Sequence, residues 1–139
     1  MRDILFRGKR VDNGEWVEGY YAGVAKNNII LTGRIDITET IGAEAFRIIP
    51  ETVGQYTGLT DKNGRKIFEG DIVKRYYQSN VLFNVGVINW DSRSAWWACQ
   101  LYTMNPCFSL YDENQVEIIG NIFDNPELLE NNTGKENSI

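Results

Sequence analysis

The chain has 139 residues, a formal net charge of −5, 42% hydrophobic and 12% aromatic residues, and no histidine. A chain of this size buries roughly two thirds of its unfolded surface on folding, so it suits one domain with a core that needs no staples. The acidic balance disfavours phosphate-driven nucleic-acid binding, the missing histidine closes the Ser-His-Asp and Cys-His routes, and no apolar run reaches membrane-spanning length.

The hydrophobic pattern alternates with period two, which favours strands. Ile4–Phe6 opens the first, and Asp12-Asn-Gly14 signals a hairpin because Asn and Gly tolerate the positive φ of tight turns. The returning strand is Trp16–Val24. Asparagines make Lys26-Asn-Asn28 a second turn, followed by a strand over Ile29–Thr32. Ile35, Ile37 and Ile41 alternate with polar residues and predict a strand over 35–41, with a short helix near Ala43–Phe46 as the lesser alternative.

A central block starts at Pro50. It is read as a short strand over Val53–Tyr56 and a loop over Thr57–Gly64, in which Gly58 relaxes the entry. In that loop Asp61 accepts from backbone amides two residues on, and Gly64 supplies positive φ. Glu69-Gly-Asp71 then makes a corner before a strand from Ile72 to about Tyr77, a pattern found in small SH3-like barrels. Val81–Trp90, with Val81, Phe83, Val85 and Val87 on one face, is the strongest strand of the chain. Asp91–Ser94 turns into a strand over Ala95–Tyr102. A loop at Asn105-Pro106 precedes a strand near Phe108–Tyr111, and Asp112–Asn114 turns into Val116–Gly120. Asn125 reads as the cap of a short helix with Pro126 at its first position, and the polar residues 131–139 read as a disordered tail.

Three blocks carry a family resemblance: RDILFRGKR over Arg2–Arg10, YTGLTDKNG over Tyr56–Gly64 continuing to EGDIV over Glu69–Val73, and EIIGNIFDNPELL over Glu117–Leu129. In this order, and spanning most of the chain, they resemble the YopX family of small proteins from phages and prophage regions. The resemblance implies a mainly β fold, a phage or prophage origin and a cytoplasmic location, and it implies no biochemical activity. Tyr56, Gly58, Asp61, Asn63, Gly64, Glu69, Gly70 and Asp71 form its central motif and are read as structural.

Candidates for chemistry are few. Glu51, Asp61, Glu69, Asp71 and Asp91 have the side chain for paired-carboxylate acid–base work. Asp61 and Asp71, however, sit in turns that use their hydrogen bonding, and Glu51 and Glu69 adjoin Pro50 and Gly70 as loop polars. The DKNG turn lacks the remaining ligands of a calcium loop. Cys99 and Cys107 fit neither a CxxC pair nor a zinc ribbon, and read as free thiols, with a hairpin disulfide as the alternative. No metal or cofactor is expected. Basic residues cluster at Arg7, Lys9 and Arg10 and at Arg65, Lys66, Lys74 and Arg75, both among acids, as on a solvated mixed-charge surface.

The aromatic group Trp90, Trp96, Trp97 and Tyr102 is the candidate for recognition. Adjacent strand residues face opposite sides, so Trp96 and Trp97 cannot share a face, and an exposed indole can anchor a protein interface or stack a base. Burial of both in the core is the competing reading.

The sequence thus predicts a mainly β domain over 1–130: an N-terminal antiparallel hairpin sheet (1–49), a small SH3-like barrel (50–123) and a short C-terminal helix (125–130). The expected role is a non-enzymatic phage or prophage accessory module that binds a host or phage protein, as a monomer or a homo-oligomer. The alternatives are nucleic-acid binding through Arg65, Lys66, Lys74 and Arg75 with Trp97 or Tyr76 stacking, and a hydrolase built on Asp61 or Asp71.

Overall fold

A computed structural model describes residues 4–24, 26–32, 44–77, 81–91, 96–101, 107–109 and 116–129. The expected strand over 35–41, Tyr102, the Asn105-Pro106 loop, the Asp112–Asn114 turn and the tail 131–139 lie outside the described residues. The chain divides into two compact units, Met1–Tyr56 and Thr57–Ile139.

In the first unit, β1 (Phe6–Lys9), β2 (Trp16–Val24), β3 (Asn27–Thr32) and β4 (Glu44–Arg47) form an antiparallel series, and the start of β5 (Gly54–Thr60) adds to the free side of β1. The first hairpin is wider than the Asn-Gly signal suggests. Arg10 N–H donates to Glu15 O at 2.9 Å and Gly14 N–H to Arg10 O at 3.0 Å, so the turn occupies 10–15. Glu44–Arg47 is a strand, which removes the helical alternative. A four-residue segment is too short to repay helix nucleation, whereas pairing with β3, with Phe46 opposite Ile30, satisfies its backbone at once. Ile30, Ile48 and Tyr56 are buried.

The second half of β5 neighbours β6 (Lys66–Phe68) in the second unit. Strand β5 runs through Thr60, so most of the expected 57–64 loop is extended chain. Gly58, at φ 87°, interrupts its regularity. The turn proper is 61–65, closed by Asp61 N–H to Arg65 O at 2.8 Å and Gly64 N–H to Asp61 O at 2.9 Å. The remaining strands are β7 (Asp71–Tyr77), β8 (Val81–Asp91), β9 (Trp96–Leu101), β10 (Cys107–Ser109) and β11 (Val116–Asn121), ordered β10-β9-β8-β7-β11. Ile67, Val73, Ile88, Val116 and Ile118 form the core, with Leu59 packed against it.

Both antiparallel sheets are open among the described residues, and this corrects the SH3-like barrel expected over 50–123. Strand β11 returns to β7 while β10 ends the opposite edge, so the sheet does not close on itself. The chain ends its described part in one helical turn at 127–129. The Asn125 side chain ties that turn back to β11, its Oδ1 accepting from Asn121 N–H at 3.2 Å. Cys107 stands opposite Gln100 and Cys99 opposite Phe108, so the two cysteines are not cross-strand partners.

In the central block the turn glycines Gly64, at φ 82°, and Gly70, at φ 91°, have left-handed backbones that side chains rarely adopt. At Gly64 a Cβ would meet open space, whereas at Gly70 it would lie 3.4 Å from Phe123 Cε2. Gly64→Ala should therefore cost about 1 kcal/mol of backbone strain, and Gly70→Val about 2–3 kcal/mol. Thermal unfolding should rank wild type above Gly64→Ala above Gly70→Val. Melting of both variants at the wild-type temperature would show that these turns carry no strain.

Candidate functional site

The carboxylate of Asp61 is only 3% exposed. Its Oδ1 accepts from Asn63 N–H and Arg65 N–H, each at 2.9 Å, and its Oδ2 accepts from Ile118 N–H at 3.0 Å. One side chain thus closes the turn and fastens it to β11. Burial pushes the carboxyl up, but the amides of Ile118, Arg65 and Asn63, helped by the Arg65 charge, outweigh it and hold Asp61 below the usual carboxylate range. Asp71, also buried, accepts from Phe68 N–H through Oδ2 at 2.8 Å and secures the Glu69-Gly70 corner. Gly70 N–H donates to Ile88 O at 2.9 Å. These two acids are committed to the backbone. Glu69 is half-buried beside them, and Glu51 is exposed in a 3-10 turn at Pro50–Thr52.

The basic residues of the central block do not gather into one patch. Lys66 is exposed on β6, and the Arg65 guanidinium reaches Ile118 O at 3.5 Å. Lys74 and Arg75 are successive residues of β7, opposite Glu117 and Val116 respectively, and therefore point to opposite faces. Tyr76 donates its hydroxyl to Glu117 Oε1 at 2.8 Å, Asn63 Nδ2 donates to Glu117 Oε2 at 3.4 Å, and Lys62 Nζ lies 4.4 Å from the Tyr76 ring centroid. The Tyr76 and Asn63 hydrogen bonds lower the Glu117 pKa against a smaller upward push from burial. The same hydroxyl bond raises the phenol of Tyr76. An acid thus sits where a phosphate would have to bind. Glu117 is not singled out by the sequence, because only the β7–β11 register brings it here.

Of the aromatic candidates, Trp90 is 45% exposed near the end of β8. Trp97 stands directly opposite it on β9, and Trp96 opposite Asp91. Tyr102 lies outside the described residues, and Tyr56 belongs to the buried set of the first unit.

A second aromatic surface escaped the sequence reading. On one face of the first unit, Arg7 and Lys9 of β1 lie beside Trp16, Glu18 and Tyr20 of β2. The Arg7 guanidinium is 4.7 Å and Lys9 Nζ 5.6 Å from the Trp16 ring centroid. Tyr20 is 54% exposed. The signal was present as i, i+2 spacing on both arms of the Asp12-Asn-Gly14 hairpin.

Among the described residues no group of three or more His, Cys, Asp or Glu could hold a metal ion, and no helix is long and apolar enough to cross a membrane. What the fold defines is a mainly β protein of two open antiparallel sheets whose central turn is locked by a buried aspartate. The chain belongs to the YopX protein family, whose model matches residues 5–130. Among solved structures it is similar to protein EF1440 from Enterococcus faecalis, at 22% identity and a TM-score of 0.53, over 93% of this chain and 99% of that one. That likeness shows the fold. No curated protein matches the chain.

A carboxylate whose folded pKa lies below its unfolded value adds stability that is complete above the ordinary range near pH ~4 and is lost as pH falls through the folded value. Asp61 and Glu117 both have this sign. Stability should therefore be flat near neutrality and fall in acid. Asp61→Asn would set an amide Nδ2 against an N–H, costing about 1–3 kcal/mol at neutral pH and flattening the acid limb. Denaturant titrations from neutral pH into acid measure both effects; an unchanged acid limb would remove Asp61 as its source.

Proposed function

We propose that this YopX protein is a non-enzymatic accessory module of phage or prophage origin, working in the cytoplasm, that binds a host or phage protein through the aromatic end of β8 and β9. The observation that carries this reading is Trp90, an indole left 45% exposed near the end of β8, with Trp97 opposite it in register. A large apolar side chain held partly in water gains on being covered, at about 25 cal/mol per Å², and tryptophan is among the residues that dominate interface energetics. The fate of the carboxylates supports the non-enzymatic half of the reading. A hydrolase on Asp61 would need an oxygen aimed at substrate and water, and both of its oxygens accept from backbone amides. The Arg65, Lys66, Lys74 and Arg75 route to nucleic acid is weakened by Glu117, which occupies the Lys74 side of β7.

Trp90 lies on the same face as the buried Ile88 but at the end of its strand, where it is 45% exposed, so Trp90→Ala should lower the melting temperature by only a few degrees. The same change should reduce recovery of partner protein from host lysate at physiological salt by tenfold or more, as for a hot-spot residue. Equal recovery by wild type and variant would take the site away from β8, and turnover of a small molecule in a substrate screen would reverse the reading. A second copy of the chain is the competing occupant, and concentration-dependent elution on size exclusion that Trp90→Ala abolishes would identify it.

A further inference from the structure

We propose that the face of the first unit formed by Arg7, Lys9, Trp16, Tyr20 and Arg47 binds single-stranded nucleic acid. The surface is separate from Trp90 and does not rest on the reading given to it.

The pairing register assigns the face. Arg7 is opposite Glu18 and Lys9 opposite Trp16; Tyr20 is opposite Leu31, which in turn is opposite Ala45, and Ile29 is opposite Arg47. Three cations and one acid, Glu18, therefore share this side of β1–β4. At the Trp16 end of this side Arg7 and Lys9 stand against Glu18 alone, an excess of one positive charge, and Arg47 is a separate cation at the far end. Charges farther away than the Debye length, about 8–10 Å in ordinary buffers, contribute little to what a bound anion feels. Glu18 lies beside Arg7 and offsets part of that field, so the affinity set by this face is modest.

Geometry favours a strand of bases over a folded acidic partner. Residues alternating along a strand are about 6.8 Å apart, which puts Trp16 and Tyr20 roughly 13–14 Å apart on β2, a span of a few nucleotides. Tyr20 offers a ring 54% exposed as a stacking platform, and Ala45 is an exposed small residue two strands away that lets a base lie close to the sheet. Lys9 and Arg7 already rest over Trp16. Their long side chains are thus partly ordered before any ligand arrives, which lowers the entropic cost of meeting phosphates. Arg47 is similarly held, with its Nη2 donating to Asn27 Oδ1 at 3.0 Å. Sheet surfaces that present aromatic rings between cations take single strands by stacking and backbone charge together.

The test is fluorescence anisotropy of the full chain with a labelled oligothymidine of about 15 nucleotides, near the upper end of single-strand site sizes. Binding is expected at ~50 mM salt and should weaken with a log–log salt slope near −2, as about 0.7 per contact for three cations requires. Tyr20→Ala should weaken it roughly fivefold or more at an unchanged melting temperature, the least that loss of one stacked base implies. Lys9→Gln should reduce the slope by about 0.7. Trp90→Ala should leave this binding intact, so its outcome is independent of the protein-capture experiment. No binding at ~50 mM salt overturns the proposal, as does equal competition by polyglutamate, which would mark an acidic-peptide site. Binding that Tyr20→Ala and Lys9→Gln both leave unaltered overturns the assignment to this face.

Discussion

A carboxylate enclosed by protein and accepting three backbone amides holds the central block together. Asp61 binds Asn63 and Arg65 within its own turn and Ile118 on β11, a strand 57 residues away. Burying a charge is costly unless it is fully hydrogen-bonded, and here the backbone supplies that satisfaction without a partner cation at hydrogen-bond distance. The same bond aligns Ile118, which then pairs with Val73 and joins the core with Val116 and Ile88. Removing the acid would uncouple the turn from β11 as well as opening a local loop, because the turn has no other carboxylate to offer. The buried Asp71 plays a smaller version of this part at the next corner, through Phe68.

With its turns fastened from inside, the molecule displays side chains on paired strands. Alternation then decides what is displayed. On β2 every second residue from Trp16 to Tyr20 lies on the face shared with Arg7 and Lys9, while on β1 the residue between those cations, Gly8, is buried. Polar contacts at the rim restrict the outward groups further. Arg10 pairs with Asp12 at 2.6 Å and lies 4.3 Å from the Phe46 ring, and Lys62 covers Tyr76. These contacts are individually weak at an exposed surface, yet they keep long side chains from sampling freely.

Strand positions were legible because period-two alternation and turn residues are local signals. Trp16–Val24 was read to the residue, and Asp71–Tyr77 and Val81–Asp91 to within one residue at either end. The errors have a common cause: each needed knowledge of a partner distant in sequence. Thr57–Thr60 looks like loop because of Gly58, but Thr57 Oγ1 donates to Ile67 O at 2.8 Å and holds the segment in a sheet. Glu44–Arg47 is a strand only because β3 has a free edge. The barrel expected from the Gly70-Asp71 corner likewise depended on closure between strand edges, which no local pattern encodes. For the site, the exposure of Trp90 and the crossing of Arg7 and Lys9 over Trp16 are properties of register, whereas the structural use of Asp61 was visible in the DKNG turn itself.

Net charge is a poor guide to what such a molecule can bind, and the two units show why. Residues 1–56 carry seven Lys and Arg against eight Asp and Glu, a net of −1, and residues 57–139 carry seven against eleven, a net of −4. The numbers of cations are equal, but their settings differ. In the second unit Lys74 faces Glu117, and that acid also receives Tyr76 and Asn63, so positive charge there is spent within the fold. In the first unit Arg7 faces Glu18 across the β1–β2 register, and both Arg7 and Lys9 also lie against the Trp16 indole, whose π face attracts a cation without cancelling its charge. A cation held by an aromatic ring stays positive toward solvent, whereas one held by a carboxylate does not. Lys62 over the Tyr76 ring is the counterpart in the second unit, but there the ring's own hydroxyl is given to Glu117, so an acid lies beside that cation as Glu18 lies beside Arg7.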